Sequence, residues 1–402
     1  MKIGIIKEGK TPPDKRVALT PDLCKLIVDK YPEVQVQVQK SDIRAFTDQE
    51  YIDAGLPVVD DVSDCDVLIG VKEVPISQLI PNKTYFFFSH TFKKQPYNRE
   101  LLNAIIDKNI RLIDYEVLVG RNKKRIIGFG RYAGIVGAYN GLLAFGKKHG
   151  LYNLKPANQC FDKKEMEGEF AKIKLPANFK MAMTGDGRVA HGAIEVFEGA
   201  GLKKVSPQDF LEKEFDYPVY SQLLVTDYNC RKDGQPFTRR EFFTDPLPFK
   251  SNFFCFAKVA DVYTSCHYWD HRSPIIISRD DFKSPDLRLS VVADVSCDID
   301  CAVGCTLRPS TIADPLYGYN PMEEKETDFM DADAVGVMAV DNLPCELPRD
   351  ASMDFGAEFV EGVLPELLNG DPDQIIAKAT ETENGKLTSH FAYLQDYLEG
   401  KE

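Results

Sequence analysis

One stretch of the chain, Phe179–Ser206, limits the possible folds more than any other, and it reads FKMAMTGDGRVAHGAIEVFEGAGLKKVS. An apolar run breaks at Gly185-Asp186-Gly187 and resumes at helical spacing until Gly199 and Gly201. This pattern predicts a strand, a tight turn and a helix. The turn glycines let the backbone approach a pyrophosphate closely, and the N–H groups at the helix start can hold its oxygens.

The glycine pattern is a loosened form of the dinucleotide-binding fingerprint. Its spacing is G-x-G-x-x-x-x-G, ending at Gly192, where the usual form is G-x-G-x-x-G. Gly192 and Ala193 are expected to face back toward the strand and allow close packing of the helix, and no acid ends the next predicted strand, Lys203–Val205. The missing acid, with Arg188 and Lys203 nearby, favours a 2′-phosphate and therefore NADP over NAD. A glycine-rich turn without a ligand is the alternative at this point.

Length and charge exclude several classes of protein. At 402 residues the chain exceeds the length at which single hydrophobic cores stop growing, so we expect two domains. The formal net charge of −13 argues against nucleic acid or an anionic membrane as a partner, because both need a basic face. Apolar runs are too short for a membrane span, and Ile3–Ile6 is too short for a signal peptide. We therefore expect a cytoplasmic protein that acts on a small molecule and keeps its ten cysteines reduced.

Residues 1–130 alternate short apolar strands with helical or loop segments, which predicts a parallel sheet with crossover helices. The predicted strands share an apolar character and are Ile3–Ile6, Val34–Val38, Val67–Val71, Tyr85–Phe88 and Arg111–Ile113. In an open α/β sheet, ligands bind beyond the carboxyl ends of the strands. The residues that follow these runs are therefore the candidates for function.

Basic residues follow the first and third of these strands. Arg16, in KEGKTPPDKRVALTP, is a candidate to bind a carboxylate through two parallel N–H donors of its guanidinium. A surface arginine in a loop is the alternative. Lys72 ends a buried strand, where desolvation lowers a lysine pKa and suits it to act as a base. Glu73 stands beside it and can tune its charge state. A solvated lysine without a catalytic role is the alternative.

The next two strands repeat this arrangement. His90 follows the strongly apolar run Tyr85–Phe88 and is one of six histidines, so it can serve as acid, base or donor. A core histidine satisfied by the backbone is the alternative. The run Arg111–Ile113 ends in Asp114-Tyr115-Glu116.

Two patterns in the middle of the chain suggest metals only weakly. His267 and His271 stand at i and i+4 and could bind zinc from one helical face, but no third ligand is evident. Cysteines 297, 301 and 305 match none of the common iron–sulfur spacings. We therefore expect no metal. Asp298, after the buried strand Leu287–Ala293, is a better candidate for contact with substrate or nicotinamide.

Together these stretches resemble one family. KEGKTPPDKRVALTP, GVKE, FSHTFKKQ, RLIDYE, FGRYAGIVGA, TGDGRVAHGA, ADVSCDID and VDNLPCELPRDAS occur in the order seen in the alanine dehydrogenase and lysine-forming saccharopine dehydrogenase superfamily. RLIDYE, CHYWDHRSP and DVSCDIDCAVGCTLRPSTIADPLYGY resemble most the lysine-ketoglutarate reductase domain of aminoadipic semialdehyde synthase. The resemblance covers nearly the full chain and is weakest at residues 149–177 and 211–255.

The resemblance implies an α/β fold of two Rossmann-like domains with parallel sheets and a cleft between them. Residues 1–130 plus 321–402 would form a discontinuous substrate domain, and residues 131–320 would bind the dinucleotide. By motif, the catalytic pair falls on Lys72 and His90. The residues that bind substrate or tune the pair would be Arg16, Glu73, Lys93, Glu116, Arg125 and Asp298. The cofactor residues would be Gly185, Asp186, Gly187, Arg188, Gly192 and Asn342.

The activity implied is the interconversion of L-saccharopine with L-lysine and 2-oxoglutarate, with NADP or NAD as cofactor. Lys72 would handle the proton of water and carbinolamine and His90 that of the amine nitrogen, or the reverse. Alanine dehydrogenase, acting on pyruvate and ammonia, is the close alternative. A nucleotide-binding protein without turnover and a zinc hydrolase built on His267 and His271 are alternatives from other classes. The oligomeric state stays open.

Overall fold

The computed structural model describes residues 1–401, which divide into two compact units. The first unit joins Met1–Phe129 to the chain from Pro348 onward, and the second is Gly130–Leu347. Each unit contains an eight-stranded, mostly parallel sheet with helices, which confirms the predicted α/β class with two Rossmann-like units. No helix within residues 1–401 is both long and apolar enough to span a membrane.

The strands are short and follow one another along the chain in this order: β1 (Lys2–Ile5), β2 (Gln35–Gln39), β3 (Val58–Val59), β4 (Val67–Ile69), β5 (Thr84–Phe87), β6 (Arg111–Asp114), β7 (Lys180–Thr184), β8 (Lys203–Lys204), β9 (Val219–Leu223), β10 (Asn229–Arg231), β11 (Phe249–Ser251), β12 (Val262–Ser265), β13 (Val291–Asp294), β14 (Leu316–Asn320), β15 (Lys325–Thr327), β16 (Val335–Met338), β17 (Thr380–Glu383) and β18 (Lys386–Leu387).

The α-helices alternate with them and, in chain order, are α1 (Pro21–Lys30), α2 (Asp48–Asp53), α3 (Arg99–Asp107), α4 (Gly130–Lys148), α5 (Lys163–Gly168), α6 (Arg188–Gly199), α7 (Pro207–Glu212), α8 (Val225–Tyr228), α9 (Arg239–Thr244), α10 (Phe254–Ala257), α11 (Arg279–Phe282), α12 (Pro348–Gly362), α13 (Leu364–Leu368), α14 (Ile375–Ala379) and α15 (Gln395–Leu398). Two single turns of 3-10 helix matter for the site, Thr91–Lys93 and Tyr115–Val117.

The sheet of the first unit has the order β18-β17-β6-β5-β4-β1-β2-β3. Strands β1 to β6 run parallel, and β17 pairs antiparallel with β6 at one side. The carboxyl ends of β4, β5 and β6 therefore lie next to one another. This topology brings the residues that follow those three strands to one edge of the sheet.

The sheet of the second unit has the order β15-β14-β16-β13-β12-β7-β9-β8. The glycine-turn strand β7 lies between β9 and β12, and β8 lies at the outer edge. The predicted strand Lys203–Val205 contains β8. It does not pair with β7, because the chain after β8 turns through α7 and places its next strand, β9, between β8 and β7.

The second unit extends further along the chain than the sequence-based boundary at residue 321. Strand β16 pairs with β13, and β15 pairs with β14, so both belong to the second sheet. Removing them would leave the antiparallel edge of that sheet unpaired. The chain enters the first unit again only at Pro348, where α12 begins.

The core of the first unit is aromatic beneath the strand ends. Tyr115 packs edge-on against Phe355 and Phe359 of α12, with ring centroids 5.0 and 6.4 Å apart, and Phe86 of β5 packs on Phe359 at 5.6 Å. All four rings are fully buried. Such pairs add about 0.5–1.5 kcal/mol each beyond the area they bury, so they fix α12 against the carboxyl half of the sheet.

Helices α4 and α6 of the second unit cross with their backbones in contact. A Cβ added at Gly134 of α4 would overlap the carbonyl of Val189, and one added at Gly192 of α6 would overlap the carbonyl of Arg131. Small residues at both positions are therefore required for this crossing. The sequence predicted that Gly192 packs closely toward the preceding strand, whereas its close contact in the structure is with α4.

Candidate functional site

The candidate site of the first unit lies at the carboxyl ends of three neighbouring strands. Lys72 and Glu73 follow β4, His90 follows β5, and Glu116 lies in the 3-10 turn after β6. The strand order β6-β5-β4 makes these segments neighbours. The structure therefore brings together side chains that the sequence separates by more than forty residues.

Glu73 connects His90 to a second cation. Its Oε1 lies 2.7 Å from His90 Nδ1, and its Oε2 accepts a hydrogen bond from Lys10 Nζ at 2.7 Å. Burial alone would raise the pKa of Glu73, but the hydrogen bonds from His90 and Lys10 outweigh burial and lower the pKa to about 2. Glu73 is therefore a carboxylate at neutral pH, and it orients the imidazole through Nδ1.

Glu116 lies on the other side of the imidazole. Its Oε2 is 3.9 Å from His90 Nε2 and 2.9 Å from Lys93 Nζ. Its Oε1 is 2.9 Å from Arg125 Nη2, and its backbone carbonyl accepts a bond from Arg125 Nε at 3.0 Å. His90 thus stands between two carboxylates, with Nε2 on the side of Glu116, Lys93 and Arg125.

The backbone of Lys72 is held by hydrogen bonds to Glu8, and its side chain lies in an environment that lowers its pKa. Glu8 accepts hydrogen bonds from the N–H groups of Val71 and Lys72 at 2.7 and 2.8 Å, which fixes the chain at the end of β4. Burial lowers the pKa of Lys72, and the positive charges of Arg16 and Lys10 lower it further. The amine therefore reaches its neutral, basic form at a lower pH than a solvated lysine does.

Arg16 is deeply buried, with 2% of its surface exposed. Its Nε and Nη2 donate to the two carboxylate oxygens of Asp14 at 3.0 and 2.6 Å, and its guanidinium carbon lies 4.0 Å from the ring centroid of Phe129. In this structure the bidentate partner of Arg16 is therefore Asp14. The guanidinium also contributes to the positive field on Lys72.

The glycine turn of the second unit has the geometry predicted for a phosphate loop. Gly185 has a φ of +108°, and a Cβ there would overlap the carbonyl of Cys266, so glycine is required. Gly187 precedes α6 and has open space where a side chain would lie. The turn lines a cavity of about 380 Å³ together with Leu224, residues of α8 and α9 and the segment after β12.

Charged and aromatic side chains line the same cavity. Arg239 of α9 donates to Asp186 Oδ1 at 2.9 Å from Nη2, and a second contact joins Nη1 to Oδ2. Arg188, Tyr228 and Phe243 also line the cavity. These residues and the N–H groups at the start of α6 suit a group that has both phosphate oxygens and a flat aromatic ring.

Three further predicted residues lie elsewhere in the second unit. Gly192 lies within the α4–α6 crossing, so its contacts are those of helix packing. Asn342 follows β16 with a left-handed φ of +64°. Asp298 is exposed in the segment after β13, and the neighbouring buried carboxylate of Asp294 accepts bonds from Ser296 and Thr306 at 2.6 Å.

The two histidines considered for zinc do not share a helical face, because residues 266–271 are not helical. His267 Nδ1 lies 2.8 Å from Thr184 Oγ1, and burial lowers the pKa of this histidine to about 4. The side chain of His271 is 87% exposed. Among residues 1–401, no group of three or more His, Cys, Asp or Glu side chains is arranged to hold a metal ion.

Sequence reasoning missed three contributors to these sites. Lys10 and Glu8 lie just after β1, in the segment already predicted to follow a strand end, so their position was the available signal. Arg239 comes from the segment 211–255, where the motifs are weakest. No local pattern links α9 to the glycine turn, 53 residues earlier.

The arrangement of the second unit, with a glycine turn between the strand β7 and the helix α6, defines a protein of the Rossmann class. The N-terminal domain model of the alanine dehydrogenase/PNT family matches residues 4–136. This match and the relatives below confirm the resemblance of the chain to the alanine dehydrogenase superfamily that its motifs showed.

Relatives of this chain carry two kinds of name. Alpha-aminoadipic semialdehyde synthase of Arabidopsis thaliana is 28% identical over 98% of this chain and 41% of its own length. Saccharopine dehydrogenase (NAD(+), L-lysine-forming) of Yarrowia lipolytica is 28% identical to this chain, and the aligned region covers 92% of each of the two proteins. The chain thus spans less than half of the length of the synthase and nearly all of the fungal dehydrogenase.

The fold itself is shared with a solved structure, L-alanine dehydrogenase. It matches with a TM-score of 0.68 at 19% sequence identity and covers 100% of both chains. At this identity the likeness shows a common fold.

Proposed function

We propose that this chain is a lysine-forming saccharopine dehydrogenase, which interconverts L-saccharopine with L-lysine and 2-oxoglutarate. The observation that carries the proposal is the placement of His90 between Glu73 at 2.7 Å and Glu116 at 3.9 Å, with Lys72 directly before Glu73 at the end of β4. The names of the relatives support the same substrate. The two strongest candidates for proton transfer are then Lys72 and His90.

The chemistry needs proton transfer at two places. In the direction of saccharopine synthesis, the ε-amine of lysine adds to the ketone of 2-oxoglutarate, water leaves, and the imine carbon is reduced. In this direction Lys72, as the ammonium, gives a proton to the carbinolamine hydroxyl as it leaves as water; in the reverse direction the neutral amine, favoured by its lowered pKa, takes a proton from the attacking water and then from the carbinolamine hydroxyl. His90 exchanges a proton with the amine nitrogen, and Glu73 stabilises its imidazolium through Nδ1. The two roles can also be exchanged between these residues.

Substrate carboxylates are the second requirement. Saccharopine has more carboxylates than alanine, and cations that form paired hydrogen bonds suit them. The side chains of Lys93 and Arg125 are 39% and 38% exposed, so a ligand can reach them. Arg16 and Asp298 complete the proposed substrate set. In this proposal the pairing of Glu116 with Lys93 and Arg125 keeps the two cations in place before the substrate binds.

The glycine turn would hold a nicotinamide dinucleotide. Gly185, Gly187 and the first N–H groups of α6 would bind the pyrophosphate, and Asn342 and Asp186 would contribute further polar contacts. When bound, this cofactor gives hydride to the imine carbon or takes it back. The remaining residues of the site then only bind, orient and move protons.

We favour NADP over NAD. Strand β9, which lies beside the glycine strand, ends in Leu223-Leu224-Val225 and has no acid there for a ribose hydroxyl. Asp227 accepts a hydrogen bond from its own helix at Leu224 N, 2.7 Å away. Arg239 and Arg188 line the same cavity and suit a 2′-phosphate.

The test follows nicotinamide absorbance after mixing the protein with lysine, 2-oxoglutarate and either NADPH or NADH. Oxidation that requires both lysine and 2-oxoglutarate, and is faster with NADPH, is the expected result. A parallel reaction with pyruvate and ammonia tests the alternative. Turnover there alone would make the chain an alanine dehydrogenase, and binding without turnover in either reaction would make it a nucleotide-binding protein.

A further inference from the structure

Four polar side chains lie buried beneath the turn that carries His90. Ser89 and Thr91 flank the histidine, Asp114 ends β6, and Glu381 comes from β17, and all four are 0% exposed. His90 itself has a left-handed φ of +55°, which is uncommon for a residue other than glycine. Neighbouring structure must therefore hold this turn in place.

The four side chains form a continuous chain of short contacts. Glu381 Oε2 lies 2.5 Å from Thr91 Oγ1, and Thr91 Oγ1 lies 2.6 Å from Ser89 Oγ. Ser89 Oγ then lies 2.6 Å from Asp114 Oδ2, and a longer contact of 3.2 Å joins it to Glu381 Oε1. Each short contact needs one proton between its two oxygens.

The hydroxyl groups do not supply enough protons. Ser89 and Thr91 have one hydroxyl proton each, whereas the chain contains three short contacts. The third proton must therefore come from a carboxyl group. A buried pair of carboxylates with both members ionised would also repel strongly.

Hydrogen bonds from the backbone decide which carboxyl holds the proton. Asp114 accepts from the N–H groups of Ser89 and His90 at 2.8 and 3.3 Å, and from Glu116 N–H at 2.7 Å. Three such donors stabilise an ionised carboxylate. Within residues 1–401, the hydrogen bonds to the Glu381 carboxyl come from hydroxyl groups. The proton therefore belongs on Glu381.

We propose that Glu381 is a neutral carboxylic acid that positions His90, by donating to Thr91 in a relay that continues through Ser89 to the carboxylate of Asp114. In this relay every short contact contains one proton and every donor points toward Asp114. Asp114 in turn holds the N–H groups of Ser89 and His90. Glu381 is thus a positioning residue that acts on the catalytic candidate through the turn.

The charges around Glu381 agree with this assignment. Burial, together with the negative charge of Asp114, raises the pKa of Glu381 to about 8. The titratable groups that face Glu381 from other elements are Tyr393 and Tyr397. The guanidinium carbon of Arg99 in α3 lies 5.3 Å from the ring centroid of Tyr397. Above about pH 8, loss of the proton would leave two carboxylates facing two hydroxyls and would loosen the turn.

The first test needs no substrate. The infrared C=O stretch of a protonated carboxylic acid is measured in the full-length protein, in Glu381→Gln and in the control Glu383→Gln, which changes a 47% exposed acid of the same strand. We expect Glu381→Gln to lose one such band at pH 7 and the control to keep it. In the unmodified protein this band should disappear as the pH rises through about 8. An identical spectrum in Glu381→Gln at pH 7 would overturn the proposal.

The second test uses turnover and rests on the proposed function. Glu381→Leu removes the donor to Thr91 and should lower kcat by about tenfold to a hundredfold, because a misplaced catalytic group costs about that much. Glu381→Gln keeps a neutral donor, so it should restore most of this loss and remove the decline of kcat above pH 8. An unchanged alkaline decline in Glu381→Gln would contradict the positioning role. If the chain has no turnover, the infrared test still decides the protonation state.

Discussion

The carboxylate of Glu8 accepts a hydrogen bond from the backbone N–H of Lys72, with 2.8 Å between Oε2 and the nitrogen. Its other oxygen accepts from Val71 N–H at 2.7 Å, so one buried side chain fixes both residues at the end of β4. In the proposed reaction Lys72 transfers a proton. The position of its amine therefore depends on an acid 64 residues earlier in the chain.

The first prediction concerns this support. In Glu8→Gln the amide can accept from one N–H group but presents its NH₂ to the other, which leaves a buried donor unsatisfied. Such a defect costs about 1–3 kcal/mol, so the free energy of unfolding and kcat should both fall. Denaturant unfolding and steady-state kinetics measure the two effects. Glu33→Gln, an exposed acid of the same unit, is the control and should change neither.

The second prediction concerns the charge state of Lys72. Because burial and nearby cations lower its pKa, the neutral amine becomes more abundant as the pH rises through a value below that of a free lysine. In the direction of saccharopine cleavage, where Lys72 acts as the base, the proposed role predicts that kcat rises over the same pH range. Lys72→Arg keeps the positive charge but cannot lose it, so turnover should fall by about 10²-fold or more and lose this rise. Near-normal turnover in Lys72→Arg, with Lys25→Arg as control, would remove Lys72 from the mechanism.

The third prediction is a pH dependence of stability. The pKa of Glu73 in the folded protein is about 2, below the ordinary value of 4.5. The folded state therefore binds this proton less readily than the unfolded state does, so the stabilisation is present above pH 4.5 and is lost as the pH falls toward 2. The difference in free energy of unfolding between the native protein and Glu73→Gln should shrink over that range. A difference that stays constant over that range would contradict the assigned contacts with His90 and Lys10; Glu361→Gln, which changes an exposed acid of the same unit, is the control.

The fourth prediction separates the two nicotinamide cofactors. If Arg239 contacts a 2′-phosphate, Arg239→Met should raise the KM for NADPH by roughly 10- to 100-fold, the value of a charge-assisted hydrogen bond, and leave the KM for NADH nearly unchanged. Arg231→Met alters an arginine of the same region that pairs with Asp233, and it serves as the control. Equal effects on both cofactors would mean that Arg239 supports the turn through Asp186 alone.

The sequence predicted the strand-end residues well, because β4, β5 and β6 are consecutive parallel strands and their carboxyl ends must lie together. Lys72, His90 and Glu116 were found on this basis. Glu381 was not, because it lies 290 residues after Thr91 and enters the sheet on an antiparallel strand. Its strand reads Thr380-Glu381-Thr382-Glu383, which is polar throughout and gives no apolar signal for a buried strand.

The strand that lies beside the glycine strand could not be predicted from the sequence, for a related reason. Lys203–Val205 is the next extended segment in the chain, whereas β9, which pairs with β7, follows later. Order along the chain matches order in the sheet only where no strand is inserted between two others. The same limit applies to the boundary at residue 321, because local pattern does not show that β16 pairs with β13.

The crossing of α4 and α6 affects how genetic variants of this protein should be interpreted. A missense change at Gly192 lies in the nucleotide fingerprint and would ordinarily be scored as a cofactor defect. A side chain at Gly192 would meet the backbone of Arg131, so the variant protein should instead be present in a lower amount. A change at Gly187, where a side chain has open space, should give normal abundance with poor nucleotide affinity. Abundance measured beside activity would sort the two kinds of allele.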